Sequence, residues 1–407
     1  MELITGVIKS YDWGSRRTLA ELAGRPFPSP TPEAELWFGA HESAPSTVGE
    51  PSGSTTLIDR IREDPQTQLG AQCAEAYDGT LPFLLKILAA DKPLSLQAHP
   101  TTAQARAGFA RENAAGIDIS ASYRNYRDSR HKPELVVALS GFEALAGFRD
   151  INSTVALLTA LDLSGVADDV ASLAADPCPA ELKAVALRWM RSSREYHNRL
   201  TLEVIERATS ILGTGGSVAD RFEAELSTAL GLARRWPGDP GVMMSLLLNR
   251  VSLAPGEGLF LPAGNLHAYL SGTAVEIMAN SDNVLRGGLT TKHIDVDELS
   301  RILDFTPIPV DVLDAQPCDR GSAHIYPAPV PEFLLRRWEL DGNGDVPLGG
   351  DGPAVLLCTA GRVRIRAGDH QMEISGGGAV WLRAGDAVTM AATDGAPAQV
   401  FAGSTPG

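Results

Sequence analysis

Between residues 151 and 249 the chain is rich in alanine and leucine and poor in glycine, whereas the flanking segments are repeatedly broken by glycine and proline. This change of texture constrains the fold most, because it marks a switch of hydrophobic period. Inside the block, Leu182, Val185 and Trp189, then Phe222, Leu226, Ala229 and Ala233, recur at three- and four-residue intervals. That is the repeat of a helix face set against a core. Pro179 and Ser217 stand where helices are expected to begin. Before the block, Leu81-Pro-Phe-Leu-Leu-Lys-Ile-Leu88 followed by Asp91-Lys-Pro93 reads as strand, turn and strand. Strand texture returns after Pro240-Gly241, and Arg362-Val-Arg-Ile-Arg366 alternates as a half-buried strand does. The predicted class is mainly β with a helical insertion, and nothing suggests a parallel α/β sheet.

A length of 407 residues suits two or three domains, and a weak internal repeat suggests how the strands are shared. Pro255-Gly256, Pro262-x-Gly264 and His267 have the spacing of the second conserved motif of cupin barrels. Gly376-Gly377, Arg383-x-Gly385 and Val388 repeat that spacing with valine in place of the histidine. Two jelly-roll units are therefore expected, of which only the first keeps a metal ligand. The predicted organisation is a catalytic β unit formed by 1–150 and 250–318, a helical insert at 151–249, and a metal-free β unit at 319–407.

Charge excludes several classes of partner. With 50 acids against 35 bases the net charge is −15, and a polyanion or anionic membrane requires a cationic face. A small anion remains compatible, since a few local Lys and Arg can form a positive pocket. No run approaches the roughly 18 apolar residues of a membrane helix. The N-terminus lacks a basic, then apolar, export signal, which predicts a cytoplasmic protein. Cys73, Cys178, Cys318 and Cys358 match no zinc or redox spacing and read as reduced thiols.

Chemistry concentrates in three clusters. In Leu94-Ser-Leu-Gln-Ala-His99, strand alternation turns Leu94, Leu96 and Ala98 one way and Ser95, Gln97 and His99 the other. A lone histidine at a strand end is more often structural, but Gln-x-His on a polar face suits a metal site. In His131-Lys-Pro-Glu134, Lys132 and Glu134 share a face, with Pro133 tolerated at a strand start. The third cluster runs from Pro262 to Lys292. There Ser271-Gly272 is expected to turn, after which Ala274, Glu276 and Met278 face one side. Asp282, Arg286 and Lys292 follow in a polar, glycine-flanked loop.

Gln97, His99, Glu134 and His267 together offer two imidazoles, one carboxylate and one amide oxygen. Zn²⁺ accepts this mixture and would stay net positive, a good Lewis acid for a carbonyl. The same donors could hold Fe(II) in an oxygenase. Gly213-Thr-Gly-Gly-Ser217 is no dinucleotide fingerprint, and Walker A, His-Glu-x-x-His and nucleophile-elbow motifs are absent.

These clusters, with Tyr11-Asp-Trp-Gly14, Ala34-Glu-Leu-Trp-Phe-Gly-Ala-His41 and Leu81 to Lys86, closely resemble the type I mannose-6-phosphate isomerases, a zinc-dependent cupin family. The resemblance covers about 1–150 and 250–300. It implies one zinc per chain held by Gln97, His99, Glu134 and His267, with Lys86, Ser95 and Lys292 on the phosphate side and Arg286 beside the reacting carbons. It implies interconversion of mannose 6-phosphate and fructose 6-phosphate through a cis-enediol, by a monomer. The base or its proton partner is left among Glu276, Asp282, Lys132 and His99, with Glu276 the first candidate because it is an inward carboxylate outside the ligand set. Arg130, Gly287 and Thr291 replace the family's usual Asn, Ala and Pro, changes that touch no proposed ligand. The alternatives are a sugar-binding cupin without turnover and a cupin Fe(II) oxygenase.

Overall fold

The computed structural model describes all residues except 50–54, 319–322, 343, 351, 394 and 407. Three antiparallel sheets and a helical region make up the described chain. The ten-stranded sheet draws on both sides of the helical block, joined where Gly272–Ala279 of the long strand His267–Ala279 pairs with Phe83–Ala90. Glu134–Ala138 and Phe142–Phe148 also pair with that long strand, so one element organises the whole sheet.

Helices fill the alanine- and leucine-rich block: Ile151–Leu161, Ala167–Ala175, Pro179–Met190, Arg194–Thr214, Ser217–Arg235 and Pro240–Ser245. Pro179 and Ser217 each open a helix, as their positions predict. Sheet structure resumes at Leu248, two residues before the expected re-entry at 250. The block is no satellite. Leu182, Val185, Trp189, Leu200 and Leu226 share one buried cluster with Leu96, Ala98 and Leu285 of the sheet and with Leu266 just before its long strand. Burying Leu96 and Ala98 against the helices fixes the short strand Leu96–Ala98, so Gln97 must face the opposite side.

A second sheet of nine strands contains Leu334–Leu340, Ala354–Ala360, Ala379–Leu382 and Ala398–Ser404. The expected boundary at 318/319 abuts residues 319–322, which lie outside the described set. Glu2–Thr5 pairs with Ala379–Leu382, so the first residues of the chain hydrogen-bond with this C-terminal sheet rather than with the ten-stranded one. Four further strands, among them Arg362–Ala367 and Val388–Ala392, form the third sheet. The two copies of the repeat agree locally. Gly256 and Gly264, like Gly377 and Gly385, have positive φ around a four-residue strand, and His267 and Val388 each open the next strand.

Two expectations need correction. Ser271-Gly272 does not turn the chain, because His267–Ala279 runs through it as one strand with a bulge between Tyr269 and Ser271. Gly272 has φ 113° there, and a Cβ would lie 2.5 Å from the Gly141 carbonyl oxygen, so its role is close backbone approach. The first 150 residues also carry helices as well as strands, the longest being Thr102–Ala114, entered through a capping box of Thr101 and Gln104.

Candidate metal centre

Three strands bring the first donors into register. His267 lies opposite Gln97 on one side of the strand Leu96–Ala98, and Arg286 lies opposite Gln97 on the other. Directly opposed residues share a face, so Arg286, Gln97 and His267 form one row across the sheet. His99 follows at the end of the same strand, and Glu134 enters from the strand Glu134–Ala138.

His99 Nε2 lies 3.4 Å from Glu134 Oε1, and His267 Nε2 lies 3.2 Å from Glu134 Oε2. All three side chains are buried, and their ligand atoms lie within 4.8 Å of one another. Each imidazole is oriented from behind: His99 Nδ1 donates to the Asn283 carbonyl at 2.7 Å, and His267 Nδ1 to the Asn265 carbonyl at 3.1 Å. With the proton on Nδ1, both Nε2 atoms present lone pairs, and neither has a hydrogen-bond partner. Two buried acceptors facing a carboxylate, with no donor between them, fit a cation. Burial pushes the His99 imidazole below its ordinary range, so it stays neutral. Burial opposes ionisation of Glu134, but the neighbouring Lys132 ammonium prevails and holds the carboxyl well below the usual carboxylate range. Gln97, half-buried in the same row, can supply a neutral oxygen.

Around this centre the expected residues separate into two groups. Lys132 Nζ sits 3.0 Å from Glu134 Oε1, at the edge of the metal site. The resemblance places Lys86 on the phosphate side, yet its ammonium is buried 3.0 Å from Glu276 and 3.9 Å from Glu35. Its charge is already committed. Glu276 is equally engaged, since Tyr269 OH donates to its other oxygen at 2.8 Å, so each of its oxygens already has a donor. The Trp37 indole closes the network by donating to Glu35 at 2.7 Å.

Arg286, Lys292 and Asp282 lie toward solvent. Burial and then the like charge of Arg127 lower the Arg286 guanidinium, and burial and Arg286 lower the Lys292 ammonium. Cations pressed together in this way are stabilised by an incoming anion. The Asp282 side chain is 52% exposed and lies 3.3 Å from His41 Nε2. Burial acts to raise its carboxyl, but His41, Lys132 and Lys86 prevail and lower it. Tyr11 is exposed and stacks on Trp13 at 5.7 Å, and burial and then the charge of Glu35 raise its phenol. Ser95 is half-buried just before the strand Leu96–Ala98.

Sequence reasoning missed Asn283, Asn265, Tyr269, Glu35 and His41. Asn283 is fully buried: its side chain accepts from the Arg127 amide and donates to the Asp128 and Arg130 carbonyls, while its own carbonyl orients His99. The only advance signal was that an asparagine followed Ser281-Asp282 in a loop already marked as polar.

The type I phosphomannose isomerase catalytic domain matches residues 1–151. Mannose-6-phosphate isomerase of Shigella flexneri is 36% identical, over 98% of this chain and 99% of its own length. The Emericella nidulans enzyme of that name is 34% identical over 91% and 88%, and that of Rattus norvegicus 31% over 95% and 94%. Among solved structures, a variant of phosphomannose isomerase from Salmonella typhimurium superposes with a TM-score of 0.90 at 33% identity, covering 100% of this chain and 99% of its own. A zinc-bound mannose 6-phosphate isomerase gives 0.89 at 33% identity, with 99% of each chain covered. A fold, a buried donor cluster and a full-length likeness thus converge, and the chain belongs to the type I phosphomannose isomerase family.

Proposed function

We infer that the protein is a zinc-dependent mannose-6-phosphate isomerase, converting mannose 6-phosphate to fructose 6-phosphate and back. The observation that carries this reading is the convergence of His99, Glu134 and His267 on one point, with both imidazole lone pairs lacking a donor. Gln97 completes the proposed ligand set. Bound there, zinc supplies Lewis acidity for a sugar carbonyl and its neighbouring hydroxyl.

The remaining residues suit a proton shift between adjacent carbons through a cis-enediol. Arg286 and Lys292, with Arg127 behind them, offer the positive surface for a phosphate and for developing oxyanion charge. Asp282 replaces Glu276 as the favoured base, because its carboxylate is ionised and reachable while that of Glu276 is buried and engaged by Lys86 and Tyr269. Lys132, beside Glu134, is placed to hold or return a proton at the sugar oxygens. Lys86 acts through the buried charge network rather than on phosphate, and Ser95 remains proposed on the phosphate side.

At the level of architecture we propose two cupin units, one built from 1–150 and 250–318 and a metal-free one from 319–407, around the 151–249 insert. The matching glycine turns of the two repeat copies support this. The same reading makes the protein a cytoplasmic monomer whose partner is a sugar phosphate, neither nucleic acid nor membrane. Its net charge of −15 supports the exclusion of polyanions.

The test is a coupled assay for fructose 6-phosphate formed from mannose 6-phosphate, before chelation, after it, and with zinc restored. Activity that follows zinc supports the reading. No turnover by zinc-loaded protein would leave a sugar-binding cupin, and turnover needing iron and oxygen would indicate the oxygenase.

A further inference from the structure

One carboxylate of the helical insert hydrogen-bonds with the backbone of the cationic loop. Asp239 caps the helix Pro240–Ser245, with Oδ1 accepting from the Gly241 amide at 2.7 Å. The same Oδ1 accepts from the Leu289 amide at 2.7 Å, and Oδ2 from the Thr290 amide at 3.2 Å. Those two amides lie between Arg286 and Lys292.

The loop they belong to is held in a conformation it does not favour. Leu289 has φ 55°, a left-handed geometry that is strained for a non-glycine residue. Gly288, at φ 142°, approaches so closely that a Cβ on it would lie 2.4 Å from Gly241 Cα. The Leu289 side chain is buried in the cluster of the insert that contains Val242, Met243 and Met244. Just upstream the sheet register slips between Arg286 and Gly288, and just downstream the Lys292 amide donates to Thr290 Oγ1 at 3.1 Å. Hydrogen bonds to an ionised carboxylate are stronger than neutral ones, and two of them act on the backbone that carries the strain at Leu289.

We infer that Asp239 is a positioning residue: through the Leu289 and Thr290 amides it fixes the backbone from which Arg286 and Lys292 address an anionic substrate. The insert thereby takes part in the site although none of its side chains reaches the metal donors. This rests on the isomerase reading of the same site.

The variant that isolates the effect is Asp239→Ser. Serine still caps the helix at Gly241 but is too short to reach the two loop amides. With zinc content unchanged, KM for mannose 6-phosphate should rise about 10- to 100-fold and the inhibition constant of inorganic phosphate should rise in step. Hydrogen exchange at the Leu289 and Thr290 amides should accelerate, with the helix at 240–245 still protected. Asp239→Asn keeps one acceptor oxygen and should recover most of the loss. Unchanged KM and unchanged exchange in Asp239→Ser would overturn the inference, as would an Asp239→Asn variant no better than Asp239→Ser. If zinc-loaded wild-type protein fails to isomerise, the isomerase reading falls, and the exchange data alone decide whether Asp239 holds the loop.

Discussion

The imidazole of His99 and the backbone carbonyl of Asn283, 184 residues apart in sequence, are 2.7 Å apart in the fold. This contact decides which nitrogen of His99 faces Glu134. Asn283 is held by Arg127, Asp128 and Arg130, so its side chain sets the position of its own carbonyl. Groups that orient metal ligands from behind typically contribute 10- to 100-fold in metal affinity. Asn283→Ala is therefore expected to weaken zinc binding by about that factor without removing a ligand. Competition against a chelator of known affinity measures it, and wild-type affinity would show that His99 needs no such support.

Removal of the metal should also register in stability. With free zinc at about 100 times its dissociation constant, binding adds about 2.7 kcal/mol to the folded state. Chelation should lower Tm by a few degrees, and His267→Ala should abolish both the zinc content and the zinc-dependent part of Tm. Zinc retained at full occupancy by His267→Ala would exclude His267 from the ligand set.

What the sequence reveals of this site follows from how local each constraint is. Gln97 and His99 were legible because Leu96 and Ala98 beside them must be buried, and alternation then fixes the polar face. Glu134 and His267 sit in short motifs with the same logic. Asn283 and Asp239 were not legible. They act on residues 156 and 50 positions away through backbone amides, which carry no side-chain signature. Ser271-Gly272 misled for a related reason: a turn dipeptide became a bulge because the strand His267–Ala279 has partners along its length. The helical block was read correctly in outline, since its period is a property of the segment itself. Its docking onto Leu96, Ala98 and Leu285 was beyond any local pattern.

Arg286 stands opposite Gln97 in the sheet and beside Arg127 in charge, but it ligates nothing. Arg286→Ala should lower kcat by about 100-fold or more, the usual cost of losing one electrostatic stabiliser, with zinc content intact. Normal turnover in that variant would remove it from the mechanism.

Lys86 lies between Glu276 and Glu35 with all three groups buried, and its ammonium is 4.9 Å from the centre of the Trp37 ring. Removing one partner of a buried pair costs about 3–5 kcal/mol, because it strands the other charge. Lys86→Met is expected to destabilise by that order, measured by denaturant unfolding of the zinc-loaded protein. Adding Glu276→Gln should recover part of it, since the nearer of the two carboxylates is then neutral and only Glu35 still faces the methionine. If Lys86→Met is as stable as wild type, the lysine is not a structural counter-ion and the phosphate role regains its place.

His197 is buried in the helix Arg194–Thr214 of the insert, far in sequence from the metal ligands, and is expected to make stability depend on pH. Burial pushes its imidazole below the ordinary 6.5, opposed by the Trp189 backbone and the charge of Asp239. The sign follows from proton counting. Well above pH 6.5 the imidazole is neutral in both folded and unfolded chains and contributes no slope. As pH falls below 6.5 the unfolded chain takes up a proton that the folded chain refuses, so stability declines until the folded value is passed. His197→Gln, which cannot titrate, should flatten the stability profile across that window even where its absolute stability is lower. Unfolding curves collected from pH 7 downward compare the two slopes, and equal slopes would place the acid sensitivity of the insert elsewhere than His197.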